Sequence, residues 1–314
     1  MQKIILEDFE IFIARKEHFS QVISNCSSFN KMQNYKSLFS SKEWIESYIN
    51  IYQPSKVLLI KVNCICGNYM VLEVKNEEIL FLGDPFNDFN LFSNVIDCKN
   101  HNWLAPILFI KQYFNISIKL TNIETDYSLN FKATNLSKGL RKELDSSSRD
   151  KVSKKIIRMY RKGEQISYER VTPENETTFF KLLDALLKQR IESLKDKEST
   201  IGNDFSLNQN FSNFINEVCH KQELKNNIFI DYSSLHNQEL LAIGLYFHTN
   251  NKILYYLRCH FKETSKFSYG LMLDYWSITK SISNRSEVLD FARGNESYKY
   301  RLGSEEYNLI DYEI

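Results

Sequence analysis

The stretch DFARGNESYKYRLG, Asp290–Gly303, decides how this chain is read. It begins inside EVLDFA, whose apolar residues read as a buried strand, and it precedes YNLIDYEI, which reads as a second strand. The stretch itself holds two acids, two glycines, three basic residues and two tyrosines. A polar surface turn is the plain explanation of such a stretch. Its surroundings decide whether it is more than that.

Working outward toward the N-terminus, LMLDYWSITKSI reads as a helix, preceded by the loop KETSKFSYG ending at Gly270. Before it stand three strands, NIFIDYSS, LLAIGLYFHT and KILYYLRCHF, the last two joined by a turn at Asn250-Asn251. Two amphipathic helices come earlier. One carries Phe179, Leu183, Leu186, Leu187, Ile191 and Leu194 on one face and begins at Thr172-Pro173, a cap followed by a first-turn proline; the other carries Phe211, Phe214, Ile215 and Val218. A strand, ISYERV, opens this part of the chain.

Ser137 to Gly163 is the one strongly basic segment, with ten Lys and Arg against Glu143, Asp145 and Asp150. Val152, Ile156, Met159 and Tyr160 recur at helical spacing, and Gly163 supplies a stop, so a basic amphipathic helix is expected here. Its cations suit either a solvated face or phosphate contact. The part before it alternates helix and strand signals. SSKEWIESYINIY starts with a capping box from Ser40 to Glu43, and KVLLIKV, YMVLEV and ILFLG follow as strands separated by Gly67-Asn68 and Asn76-Glu77-Glu78. A helix around WLAPILFIKQYF and a strand ISIKLTNI complete this unit.

At 314 residues the chain has room for two domains. A formal charge of +1 gives no global basic field, which argues against DNA as a partner. Residues 1–19 interrupt their apolar run with acids and offer no small-residue cleavage site, and no apolar run is long enough to span a bilayer, so a cytoplasmic location is expected. The six cysteines are scattered and are expected to be free thiols. Cys64-x-Cys66 with Cys98-x-x-His101 offers zinc four ligands, but the spacing is uncommon for a structural site and no metal is expected.

The order strand, two helices, three antiparallel strands, helix, strand, short turn, strand resembles the GNAT N-acyltransferase fold. The likeness sharpens at Gly270 opening its helix, then Asp290-Phe291, Arg293-Gly294, Glu296, Tyr298-Lys299 and Gly303, which are similar to the BioF2-like and CelD-like acetyltransferases (Acetyltransf_6). Their relatives include the Fem-type aminoacyltransferases, which add amino acids to peptidoglycan precursors. LFLGDPFNDFN, Leu80–Asn90, resembles a segment these proteins carry in their first half.

The resemblance implies an α/β (α+β) chain of two tandem GNAT-like domains, each a mixed, largely antiparallel sheet flanked by helices. The expected division is 1–140, a basic linking helix over 141–165, and 166–314. It also implies transfer of an acyl group from a thioester, acyl-CoA foremost, to the amine of a small metabolite or amino sugar. A carrier-protein thioester and an aminoacyl-tRNA are alternative donors, and a catalytically inactive GNAT-like binding protein is the third reading. By family position Lys299 would neutralise charge on the reacting carbonyl. Glu296, Asp290 and His260 are candidate bases; Asp290 ends an apolar strand where desolvation would raise its pKa, or it holds Arg293 in place. Arg293 and Tyr298 would meet substrate. Ser268, Tyr269 and Gly270 would receive the donor, although the family's loop signature (Gln or Arg, two residues, Gly, one residue, Gly or Ala) is met here by Phe267, Gly270 and Met272, a match only at the glycine.

Overall fold

The computed structural model describes residues 1–6, 8–15, 17–20, 39, 41–62, 69–83, 104–124, 133–145, 147–163, 165–195, 209–249, 252–261, 267–284 and 286–314. Cys26, Cys64, Cys66, Cys98, His101, the turns at Gly67-Asn68 and Asn250-Asn251, and residues 84–90 of the LFLGDPFNDFN segment lie outside them. The chain forms two compact units, Met1–Lys138 with Tyr307–Ile314, and Gly139–Glu306.

The first unit holds β1 (Gln2–Leu6), β2 (Phe9–Ala14), α1 (Lys42–Tyr52), β3 (Lys56–Val62), β4 (Tyr69–Lys75), β5 (Glu78–Phe81), α2 (Leu104–Phe114) and β6 (Ser117–Glu124). β1 to β5 pair antiparallel in sequence order, and β6 then joins β5 in parallel. Alternate strand residues such as Ile11, Leu58, Ile60 and Leu72 meet Ile107 and Ile110 of α2 in one apolar core. The cap of α1 is Ser41, whose hydroxyl accepts from the Trp44 N–H at 3.2 Å, one residue later than the capping box places it. Gln53, in the left-handed region at φ 50°, returns its N–H to the Ile49 carbonyl and closes the helix.

The second unit holds the Gly139–Glu143 part of β7 (Ala133–Glu143), α3 (Lys154–Lys162), β8 (Ile166–Val171), α4 (Glu176–Lys195), α5 (Gln209–His220), β9 (Ile228–Leu235), β10 (Leu240–Thr249), β11 (Lys252–His260), α6 (Tyr269–Ser283), β12 (Val288–Arg293) and α7 (Ser297–Arg301). β8 to β11 pair antiparallel in order, β12 joins β11 in parallel, and β7 closes on β12 antiparallel. Ile156 and Met159 of α3 and Met272, Leu273 and Ile278 of α6 share the core with Leu241, Tyr246 and Leu289 from the sheet. Each such large apolar side chain contributes on the order of 2 kcal/mol when fully buried.

The expected fold class holds, but the division along the chain differs. The last strand, β13 (Glu305–Glu313), pairs antiparallel with β6 and so completes the first unit. β7, which follows β6 in sequence, pairs with β12 of the second. The first unit is therefore completed by a strand from the far end of the chain, and the second by the strand segment that opens it. The basic helix is likewise part of the second unit, packed on α6 through its apolar side, rather than a separate linker. Among the described residues no helix is long and apolar enough to cross a membrane.

Candidate active site

β11 and β12 are paired only at Lys252↔Val288, Ile253↔Leu289 and Leu254↔Asp290, although β11 runs on to His260 and β12 to Arg293. The two strands part at Asp290. There the pairing of β12 with β7 also shifts register, between Asp290 and Arg293, and Ala292 takes the left-handed conformation at φ 57°. A non-glycine residue is held so only where its surroundings insist. Here the Ala292 N–H donates to Asp290 Oδ1 at 2.8 Å, and Lys252 Nζ stands 2.7 Å from Asp290 Oδ2. The Asp290 carboxylate is fully buried and holds both of these groups, an arrangement suited to fixing the bend.

The bend delivers the Arg293 carbonyl to Lys299. The Lys299 ammonium, on the first turns of α7, donates to Arg293 O at 2.7 Å and to Gly294 O at 3.4 Å, and pairs with Glu296 Oε2 at 2.9 Å. Its side chain is 3% exposed, whereas that of Glu296 is 56% exposed. An ammonium has three protons to give, and these partners account for all of them. Two are backbone carbonyls fixed by the fold; the third is a solvated side chain that can leave. Gly294 permits this turn in two ways: its φ is +100°, and a Cβ there would stand 2.6 Å from Glu296 Oε2.

α6 begins behind Ser268, and the first helical bond runs from Met272 N to Ser268 O. The N–H groups of Tyr269, Gly270 and Leu271 therefore have no acceptor within the helix. A Cβ on Gly270 would meet Arg258 Nη1 at 3.1 Å, so the glycine makes room for a guanidinium arriving from β11. Arg258 pairs with the fully buried Asp274 of α6 and lies 4.6 Å from the centre of the Tyr298 ring. Tyr255 donates to the other Asp274 oxygen at 3.1 Å. Burial pushes the Asp274 carboxyl up to about 6, while Arg258 and the Tyr255 hydroxyl pull it down. Burial also raises the Tyr298 hydroxyl. One ionic cluster thus joins β11, the start of α6 and α7.

The structure brings Asp290, Arg293, Glu296 and Lys299 together at one strand end, with Tyr298 against Arg258. Ser268, Tyr269 and Gly270 stand at the start of α6, with Arg258 linking Gly270 to Tyr298. His260 is exposed at the end of β11. The stretch after Asn295 is a short helix, not a turn. Sequence reasoning missed Arg258 and Asp274, yet each carried a signal: a single charge inside an otherwise apolar strand or helix, in YYLRCH and LMLDYW. On α3, Lys154, Lys155, Arg158, Arg161 and Lys162 are all exposed. Among the described residues none of them pairs with an acid, and no group of three His, Cys, Asp or Glu stands close enough to hold a metal.

Residues 146–300 match the family described as an acetyltransferase (GNAT) domain, so the second unit carries that domain. Among solved structures the chain resembles FemX, at 11% identity and a TM-score of 0.62 over 100% of this chain and 98% of that one. It also resembles the C-terminal domain of a putative lysylphosphatidylglycerol synthetase from Agrobacterium fabrum, at 8% identity and a TM-score of 0.60 over 93% and 91%. A third likeness is to L-PGS from Bacillus licheniformis, at 12% identity and a TM-score of 0.58 over 92% and 90%. At these identities the likeness is one of fold. No curated protein matches the sequence.

Proposed function

We propose that the second unit transfers an acyl group from a thioester donor, acyl-CoA foremost, to the amine of a small metabolite or amino sugar. The observation that carries this reading is the Lys299 ammonium, buried, anchored by two backbone carbonyls and paired with one displaceable carboxylate. When Glu296 swings away, the ammonium has a proton to offer an oxygen on which charge develops. The amine nitrogen forms a bond to the acyl carbon as the carbonyl electron pair moves onto oxygen, and Lys299 neutralises that oxyanion. Collapse breaks the carbon–sulfur bond and the thiolate leaves. The proton lost by the amine goes to Glu296, the exposed carboxylate beside Lys299. Arg293 and Tyr298 border the acceptor. Ser268, Tyr269 and Gly270 turn their N–H groups to the donor phosphates, with Arg258 beside them. Asp290 acts through the bend it holds.

The test is thiol release from acetyl-CoA in the presence of a panel of amines and amino sugars. Amine-dependent release that Lys299→Met loses supports the reading. Release at the wild-type rate from the Lys299→Met protein would remove Lys299 from the chemistry.

A second reading, an aminoacyl-tRNA donor, is favoured by the exposed, unpaired cations of α3 and by the fold likeness to FemX. Phosphate contacts release counterions, so tRNA binding through α3 would weaken steeply with salt. Binding of tRNA that is insensitive to salt, or absent at low salt, counts against it.

A further inference from the structure

We propose that Lys142 is a positioning residue for the Lys299 turn, tying β7 to the carbonyl that follows α7. The inference rests on the reading of Lys299 given above. Lys142 stands on β7 opposite Leu289 of β12, is 1% exposed, and donates to Gly303 O at 3.3 Å. Among the described residues no carboxylate lies within ion-pairing distance of its ammonium. Burying an ammonium without a paired acid is expensive, and an apolar side chain of similar length would fill the site without that cost. The bond to Gly303 is what the charge provides.

That bond falls at a sensitive place. Around it, the Leu302 N–H, the Ser304 N–H and the Ser304 hydroxyl all converge on the Lys299 carbonyl, at 3.1, 3.4 and 2.9 Å, and the Gly303 N–H returns to Tyr300 O at 2.8 Å. α7 is therefore held at both ends by buried ammonium groups, Lys299 reaching back to Arg293 O and Lys142 reaching forward to Gly303 O. Gly303 has φ +79°, and a Cβ there would stand 2.9 Å from Lys142 Nζ and 2.7 Å from the Lys151 carbonyl. Only glycine allows both the turn and the approach.

The tie is also sensitive to pH. Burial and Lys151 lower Lys142 from 10.5 to about 8, while Asp145 and Glu305 work in the other direction. Between those two values the unfolded chain binds the proton that the folded chain has released, so stability rises with pH across that window. Over the same window the neutral amine becomes a weaker donor to Gly303. The fold grows firmer while α7 loosens, an opposition that a lysine serving only the core would not produce.

The test is amide hydrogen exchange on the full chain, read as protection of Leu302, Gly303 and Ser304 against that of Met272 in α6. In the wild type, protection of the first three falls by about tenfold between pH 7 and pH 9, the scale of one weakened hydrogen bond, and that of Met272 does not. Lys142→Met shows the lowered protection already at pH 7, does not change with pH, and melts no lower than the wild type. Protection that stays constant through pH 9 in the wild type, or that Lys142→Met leaves intact, overturns the proposal. If Lys142→Met does not fold, the wild-type titration decides alone. Because this readout needs no substrate, it stands apart from the turnover of Lys299→Met, whose failure would count against the chemistry and not against the tie.

Discussion

The two units share a plan and differ in what they bury. In each, antiparallel strands lead through a helix to one strand added in parallel, and a final antiparallel strand closes the sheet. The connecting helix of the first unit, LAPILFIKQYF, meets its sheet through Ile107 and Ile110. That of the second, YGLMLDYWSITKSIS, places Asp274 in the corresponding layer, paired with Arg258. β5 stops at Phe81, directly after its parallel pairs with β6, whereas β11 continues past its pairs and parts from β12. Both buried lysines among the described residues, Lys142 and Lys299, lie in the second unit. Buried charge is costly unless paired, so its concentration beside diverging strands sets the candidate site of the second unit apart from the first unit's apolar core.

The largest expected effect comes from breaking that buried charge. Asp274→Ala leaves Arg258 uncompensated and should cost about 3–5 kcal/mol by urea denaturation, while the double change Asp274→Leu with Arg258→Met recovers most of it. If the single variant proves as stable as the wild type, Arg258 does not depend on Asp274 for its burial.

Lys299→Met should lower turnover by about a hundredfold, the scale of losing one oxyanion donor, with melting temperature nearly unchanged. Lys299→Arg should rescue only in part, since a planar fork cannot take the place of a compact ammonium between Arg293 O and Gly294 O.

Gly270→Val should destabilise by about 1–3 kcal/mol, because its methyls crowd a guanidinium that Asp274 already holds. Loss of donor affinity with no loss of stability would show instead that the glycine serves only the ligand. The smallest effect is expected on α3. Reversing Lys154 and Lys155 to Glu should leave stability within about 0.5 kcal/mol, as for exposed positions generally, and flatten the salt dependence of tRNA binding if that donor is used.

Much of the secondary structure was legible because it depends on local pattern. KVLLIKV, YMVLEV and the three strands from Asn227 to Phe261 alternate or run apolar between polar turns, and the long helices show one apolar face. β1 and β2 lie in a stretch whose apolar run is broken by Glu7, Asp8 and Glu10, which blurs the strand pattern. β7 was absorbed into the basic segment because most of it is exposed: its Gly139–Glu143 part joins the sheet through backbone pairing with β12, which leaves no apolar signature. Ser41 caps α1 although the capping-box spacing to Glu43 starts at Ser40, because the helix begins at Lys42 and the path of the backbone, not the spacing, decides the cap.

By itself the sequence determined the fold class and the order of most of its elements, and it marked the stretch from Asp290 to Gly303 as the place of interest, because periodicity, turn residues and charge are local properties. Tertiary structure decided the partners. Asp290 holds Lys252 and the Ala292 N–H instead of standing open, Gly270 admits Arg258 from another strand, β13 closes the first unit's sheet, and Lys142 reaches the end of α7. Each of these contacts joins residues made neighbours by strand pairing and helix packing, and the energy of a buried charge depends on those neighbours more than on the residues beside it in the chain.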